Sequence, residues 1–209
     1  MKDNNTSELI KEKARKLFFA YGLKSVSMGD ITNQCGISKK TIYQFFEDKN
    51  DIVDAVVDDL IRSHDHLFKT AHSTAKDAID EVLKQDAAFS LVCEGICPSF
   101  LYELENSFPD SWDTLEQYKL KIQKHIIDNL HRGKQEVLYR ENINTKLNSD
   151  LRLHQEVNLL KPNFLTSLNL SVTQLADEFT GLYLHAICTE KGKKLLEKYL
   201  NEKQTGVDI

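Results

Sequence analysis

Residues 27–52, SMGDITNQCGISKKTIYQFFEDKNDI, decide how this chain folds. Ser27 with Asp30 has the S-x-x-D form of a capping box, in which hydroxyl and carboxylate answer the unpaired N–H groups at a helix start. Met28, Ile31, Thr32 and Cys35 then share one helical side. Gly36 can take the positive φ that a tight turn between helices requires. Ile37 follows as an apolar plug, and Ser38 caps a further short helix, Lys39 to about Phe45. Two short helices joined by Cys35-Gly36-Ile37 have the length and turn chemistry of a helix-turn-helix. The same spacing also fits a plain corner between helices. In that reading Tyr43 and Phe46 are core residues and Lys39-Lys40 a solvated pair.

The flanking sequence agrees with a helical head. Upstream, Ile10, Ala14, Leu17, Phe18 and Tyr21 recur in steps of three and four, which predicts a helix from Ser7 to Gly22, capped by Thr6 or Ser7. Downstream, Asp48 can cap a fourth helix, with Asp51 at its third position and Lys49 in its first turn. A cation at a helix start opposes the helix dipole, and a bound phosphate would remove the conflict. In a helix-turn-helix the second helix enters the major groove and its first residues reach base edges. Here those residues are Ser38, Lys39, Lys40, Thr41, Tyr43 and Gln44: hydroxyls, cations, a phenol and an amide, and none an acid.

Charge is divided unevenly along the chain. The 209 residues carry a formal net charge of −5, yet residues 1–50 hold nine Lys/Arg against six Asp/Glu. The acidic excess lies in the remainder, as in a DNA-facing end with an acidic body behind it. Only 8 Gly and 3 Pro interrupt the chain, which favours long helices over many short strands. No run of apolar residues approaches a membrane span, and MKDNNTSELIKEK has no apolar signal core. Cys35, Cys93, Cys97 and Cys188 are therefore expected as reduced thiols in a cytoplasm.

Beyond residue 48 the pattern stays helical. Ile52, Val53, Val56, Val57, Leu60, Ile61, His64, Leu67 and Phe68 form one stripe, so a long helix over 48–71 should link the head to the rest. Pro98 and Phe108-Pro109-Asp110 mark boundaries, and a long helix from Trp112 is expected to close near Gly133. Ser171 with Gln174 forms a second capping box. Gly181, inside the helix that follows, suggests close approach of a partner helix.

Catalytic and metal readings find little support. GxSxG, P-loop, GxGxxG and HExxH patterns do not occur, and an enzyme is not expected. Cys93 and Cys97 can share a helix face, but no further ligand stands at a diagnostic interval, so core packing or cavity lining is favoured over metal or redox chemistry. His64 and His66 do not share a helix face, and ordinary surface or core histidines are the favoured reading. No metal or cofactor is expected.

The run from Ile31 to Ile52, with Ser27 before it, resembles the DNA-binding signature of the TetR family of regulators. The matching features are the hydroxyl at Ser27, Ile31, the turn Gly36-Ile37-Ser38, the aromatics Tyr43 and Phe46, Lys49 and Ile52. Thr32 and Cys35 depart from it, standing where small alanines are common. The resemblance implies Tyr43 and Lys49 on the phosphate backbone, Ser27 at a phosphate near the second helix start, and Ser38 to Gln44 in the groove. It implies an all-α fold: a three-helix head over 1–47, then a ligand-binding and dimerisation body over 48–209. Its partners would be an operator duplex, a second copy of the chain and a small-molecule effector that releases a repressor. An apolar cavity is expected in the body, with Phe89, Cys93, Phe100, Trp112, Tyr118, Ile122 and Tyr183 as candidate lining, although core residues show the same pattern. The competing class is a dimeric helical ligand-binding or adaptor protein with weakened DNA binding, which the acidic net charge keeps open.

Overall fold

The computed structural model describes residues 2–159 and 170–205. Its helices, in chain order, are α1 (Lys2–Tyr21), α2 (Met28–Cys35), α3 (Lys39–Ile42), α4 (Lys49–Thr74), α5 (Ala78–Cys93), α6 (Ser99–Ser107), α7 (Pro109–Gln135), α8 (Thr145–Leu159), α9 (Val172–Ile187) and α10 (Glu190–Thr205). The fold is all-α. The only β-type pairing among the described residues is one isolated bridge between Tyr139 and Cys188, and no described helix is long and apolar enough to cross a membrane.

The local signals act where the sequence puts them. Ser27 and Asp30 form the full capping box of α2, and Gly36 ends that helix in the left-handed region at φ 67°. Ser171 and Gln174 do the same at the start of α9. Pro109 stands at the first position of α7, where its missing N–H costs nothing.

Three boundaries differ from the sequence reading. Helix α1 runs through Thr6 and Ser7, so neither caps it; no Gly or Pro precedes them to stop the helix. The α-helical part of α3 ends at Ile42. Beyond it the N–H of Gln44 bonds Thr41 O at 3.1 Å and that of Phe45 bonds Ile42 O at 3.1 Å, a tighter winding common at helix ends. Gly133 lies inside α7 rather than ending it.

One apolar core joins the head to the start of the body. Ile10, Ala14 and Phe18 of α1, Ile31 of α2 and Ile42 of α3 pack with Ile52, Val53, Val56 and Val57 of α4 and with Phe100 and Leu104 of α6. Phe19 meets Phe100 edge-on, ring centres 5.4 Å apart. A second core lies between α5, α7, α9 and α10, around Ile79, Leu130, Tyr139, Leu184 and Leu196. A smaller one joins Phe89 and Cys93 to Leu159, Leu175 and Ala176. Between the first and third cores the helices do not close completely.

Candidate nucleic-acid interface and ligand cavity

The surface of α3 follows from its packing. Ile42 is fully buried and Phe46 nearly so, which fixes one side of the helix on the head core. Lys39, Lys40, Tyr43 and Gln44 are thereby left exposed, Tyr43 at 54%. An aromatic ring left that far in water is not held there by the core. Ser38 caps α3: the N–H of Thr41 donates to its Oγ at 3.0 Å, and the two hydroxyls lie 2.8 Å apart. Both hydroxyls are thus partly occupied within the helix start, whereas the side chains of Lys39, Lys40 and Gln44 form no hydrogen bond or ion pair with the described residues.

At the start of α2 the Ser27 N–H and hydroxyl both donate to Asp30 Oδ2, at 2.8 and 2.6 Å. The Ser27 hydroxyl, close bonding of which holds the Asp30 carboxyl below its ordinary range, has its proton directed inward and, while so bonded, could meet another group only as an acceptor. At the start of α4, Asp48 Oδ1 accepts from the N–H of Asn50 at 2.6 Å and of Asp51 at 3.2 Å, while Asp51 Oδ2 accepts from Glu47 N–H at 2.7 Å. A phosphate arriving here would therefore meet the Lys49 ammonium and its own N–H rather than a full ring of free donors. Lys49 is half-buried. Its burial lowers the ammonium pKa, against the carboxylates of Glu103 and Asp30, which raise it.

Glu103 belongs to α6 and ties that helix to the head. Its Oε2 accepts from the N–H of Lys24 at 2.7 Å, in the turn between α1 and α2. Gly22, at φ 84°, makes this approach possible: a β-carbon there would stand 2.7 Å from Ser99 Oγ and 3.0 Å from Glu103 Oε2. Just before α6, the Cys97 N–H donates to Phe19 O at 2.8 Å.

The opposite side of α6 faces a cavity. The space between its walls is about 770 Å³, mouth included. It is lined by Val57, Leu60, Ile61 and His64 of α4; Phe89, Val92 and Cys93 of α5, with Ile96 after it; Phe100, Leu101 and Leu104 of α6; Leu115, Tyr118, Lys119 and Ile122 of α7; and Leu153, Glu156 and Val157 of α8. Phe89, Cys93, Phe100, Tyr118 and Ile122 of the expected lining are brought together here.

Trp112 and Tyr183 are not. Trp112 is half-buried against the head core with the Lys119 ammonium 4.3 Å from its ring centre. Tyr183 lies in the second core, under the Arg152 guanidinium. Helical period alone cannot separate these positions from the cavity wall, because both kinds are buried. The contribution of α4 was missed because its stripe reads as a linking helix, and that of α8 because its sequence shows little apolar period.

Beside the cavity lies a buried polar cluster. Arg152 Nε donates to Glu156 Oε1 at 3.0 Å and its guanidinium to Thr180 Oγ1 at 2.9 Å, while Thr180 donates to Asp86 Oδ1 at 2.6 Å. Burial raises both carboxyl pKa values, and Arg152 opposes that shift. Cys93 in the cavity wall is buried, and burial pushes its thiol up to about 12, so it is a packing residue rather than a nucleophile. No group of His, Cys, Asp and Glu among the described residues could hold a metal ion.

Residues 10–56 match the profile described as "Bacterial regulatory proteins, tetR family". Over 75 residues the chain is 32% identical to the HTH-type transcriptional regulator TtgR of Pseudomonas putida, an alignment covering 36% of this chain and 35% of that protein. The chain thus spans about a third of the length of the curated relatives it matches. Among solved structures, a TetR-family transcriptional regulator from Agrobacterium tumefaciens superposes with a TM-score of 0.74 at 15% identity, over 89% of this chain and 99% of that one. A TetR transcriptional regulator from Chloroflexus aurantiacus superposes with a TM-score of 0.73 at 16% identity, over 90% and 100%. These likenesses carry the fold, and the N-terminal match carries the family. Residues 10–56 thus group the N-terminal part of this chain with the tetR family of bacterial regulatory proteins.

Proposed function

We propose that this protein is a homodimeric transcriptional repressor of the cytoplasm that binds operator DNA through its head and releases it when a small molecule enters the body. The observation that carries the reading is the split of α3 into two faces: Ile42 buried in the head core, and Lys39, Lys40, Tyr43 and Gln44 turned outward on a capped helix. Ser38, Lys39, Lys40, Thr41, Tyr43 and Gln44 would lie in or beside the major groove, with Lys49 on a phosphate and Ser27 at another, its hydroxyl turning from Asp30 to donate to it. The head would comprise residues 1–47 and the effector-binding and dimerisation body residues 48–209.

Release follows from the position of α6. Phe100, Leu101 and Leu104 wall the cavity while Ser99 and Glu103 of the same helix touch the turn after α1. A ligand that binds one placement of α6 better than another shifts the head with it, by no more than its difference in affinity for the two. Exposed Leu147 and Leu151 on α8 and Leu182 on α9 offer an apolar surface to a second copy, and nothing within 4 Å fills the space over Gly181.

The test is binding to a labelled duplex from upstream of the protein's own gene, against random competitor, at several salt concentrations. Preference for the upstream fragment with affinity falling as salt rises supports an operator-binding regulator. Failure to bind any duplex would leave a dimeric ligand-binding protein as the reading.

A further inference from the structure

His64 stands on the inner side of α4, 6% exposed, in the cavity wall. Its ring lies against Phe68, 4.8 Å between centres, and edge-on to Phe89 and Tyr118. Nδ1 is 2.7 Å from the Tyr118 hydroxyl. Nε2 is covered and has no hydrogen-bond partner among the described residues.

The proton positions follow from counting unmet groups. If Nδ1 carried the proton and donated to Tyr118, the phenol's own proton would have no acceptor among the described residues and Nε2 would be an unmet lone pair. If the phenol donates to Nδ1, a single unmet group remains, the Nε2–H. Buried polar groups are paired wherever the structure allows, so the second arrangement is the favoured one. The imidazole is uncharged near pH 7, since burial holds its pKa at about 4 with only Asp65 acting the other way. The charges in the wall are also answered inside the protein. Glu156 is paired with Arg152 at 3.0 Å, and the Lys119 ammonium bonds Glu116.

We propose that the cavity takes an uncharged, lipophilic ligand bearing a carbonyl-type acceptor, and that the Nε2–H of His64, fixed in that tautomer by Tyr118, donates to it. This rests on the reading of the cavity as the effector site. Apart from His64, the Tyr118 hydroxyl, Lys119, Glu156 and the Cys93 thiol, the lining is aliphatic and aromatic carbon, which favours a hydrocarbon body. An anion or a cation would enter without a free counter-charge, which is unfavourable in a site of low polarity. Because Nε2 is covered, the acceptor reaches it as neighbouring side chains part. Relief of an unpaired buried donor favours that opening.

The test uses the full chain and diphenylhexatriene, a fluorescent hydrocarbon with no acceptor, as cavity probe. Displacement by 2-decanone, decanoate and decylammonium is compared. The expected order puts 2-decanone first. His64→Leu is expected to weaken 2-decanone by about 3- to 10-fold, the worth of one hydrogen bond, while the hydrocarbon probe binds as before. Nitrogen-15 NMR of the imidazoles should show an Nε2-protonated signal that His64→Leu deletes. Tyr118→Phe, which keeps the ring and removes the hydroxyl, should turn that signal into a tautomer mixture. Stronger displacement by decanoate or decylammonium, an unchanged 2-decanone affinity in His64→Leu, or an Nδ1-protonated signal in the wild type would each overturn the proposal while leaving the cavity reading intact. If neither the probe nor any of the three compounds binds, the cavity reading falls and the proposal with it.

Discussion

Gly133 leaves the space that the ring of Tyr139 fills: a β-carbon at 133 would lie 1.9 Å from Tyr139 Cδ2 and 2.2 Å from Cε2. The ring is held from both ends. Its hydroxyl lies 2.9 Å from Ala78 O and 3.1 Å from Asn129 Oδ1, so it joins α5 to α7. The chain then passes to the bridge with Cys188, where Arg140 N–H donates to Ile187 O at 2.9 Å. Gly133→Ala is expected to destabilise the fold by about 1–3 kcal/mol through overpacking, despite the better helix propensity of alanine. Urea unfolding of the two proteins measures this, and a gain in stability would show that the ring is free to move aside.

The capping box at Ser27 is expected to contribute modestly and locally. Ser27→Ala removes the acceptor for Asp30 N–H and the donor to Asp30 Oδ2. A loss of about 1 kcal/mol, or about 2–4 °C in melting temperature, is expected. Thermal unfolding by circular dichroism reports it, and an equal loss from Asp30→Ala would show that the pair acts as one unit.

Lys49 is expected to act on any duplex alike. Lys49→Ala should weaken operator and random DNA by similar factors and reduce the slope of log affinity against log salt by about 1. Lys40→Ala and Gln44→Ala should instead change the ratio of operator to random binding. Fluorescence anisotropy at several salt concentrations separates the two behaviours. Unaltered binding by Lys49→Ala would mean that Glu103 and Asp30 keep that ammonium away from the phosphate.

The neutral His64 makes stability depend on pH. Its folded pKa lies at about 4 against an ordinary value of 6.5. Between those values the unfolded chain binds more protons than the folded one. The contribution is therefore full above pH 6.5 and is lost as pH falls towards 4, by up to about 3 kcal/mol. His64→Gln keeps an acceptor for the Tyr118 hydroxyl and cannot titrate. Between pH 7.5 and 4.5 the wild type should lose more stability than this variant; parallel losses in urea midpoints would mean that the imidazole is already protonated or well solvated in the fold.

The sequence alone determined the elements and their ends wherever a signal acts within a few residues. The Ser27–Asp30 and Ser171–Gln174 boxes, the left-handed Gly36 and the Asp48 cap are such cases, since each depends on bonds spanning two to four positions. The all-α fold and the order of short helices in the head followed from these signals together with the apolar period. Tertiary structure decided what depends on distant segments. Gly133 read as a helix end because its true partner, the Tyr139 ring, is set by how α7 meets the bridge at Cys188. The cavity needed five helices to converge, and half-buried Trp112 and buried Tyr183 could not be told from its walls by period, because period reports burial and not what is buried against what. His64 carried no motif at all. Its unpaired Nε2 became visible only once Tyr118, fifty-four residues away, was found at Nδ1.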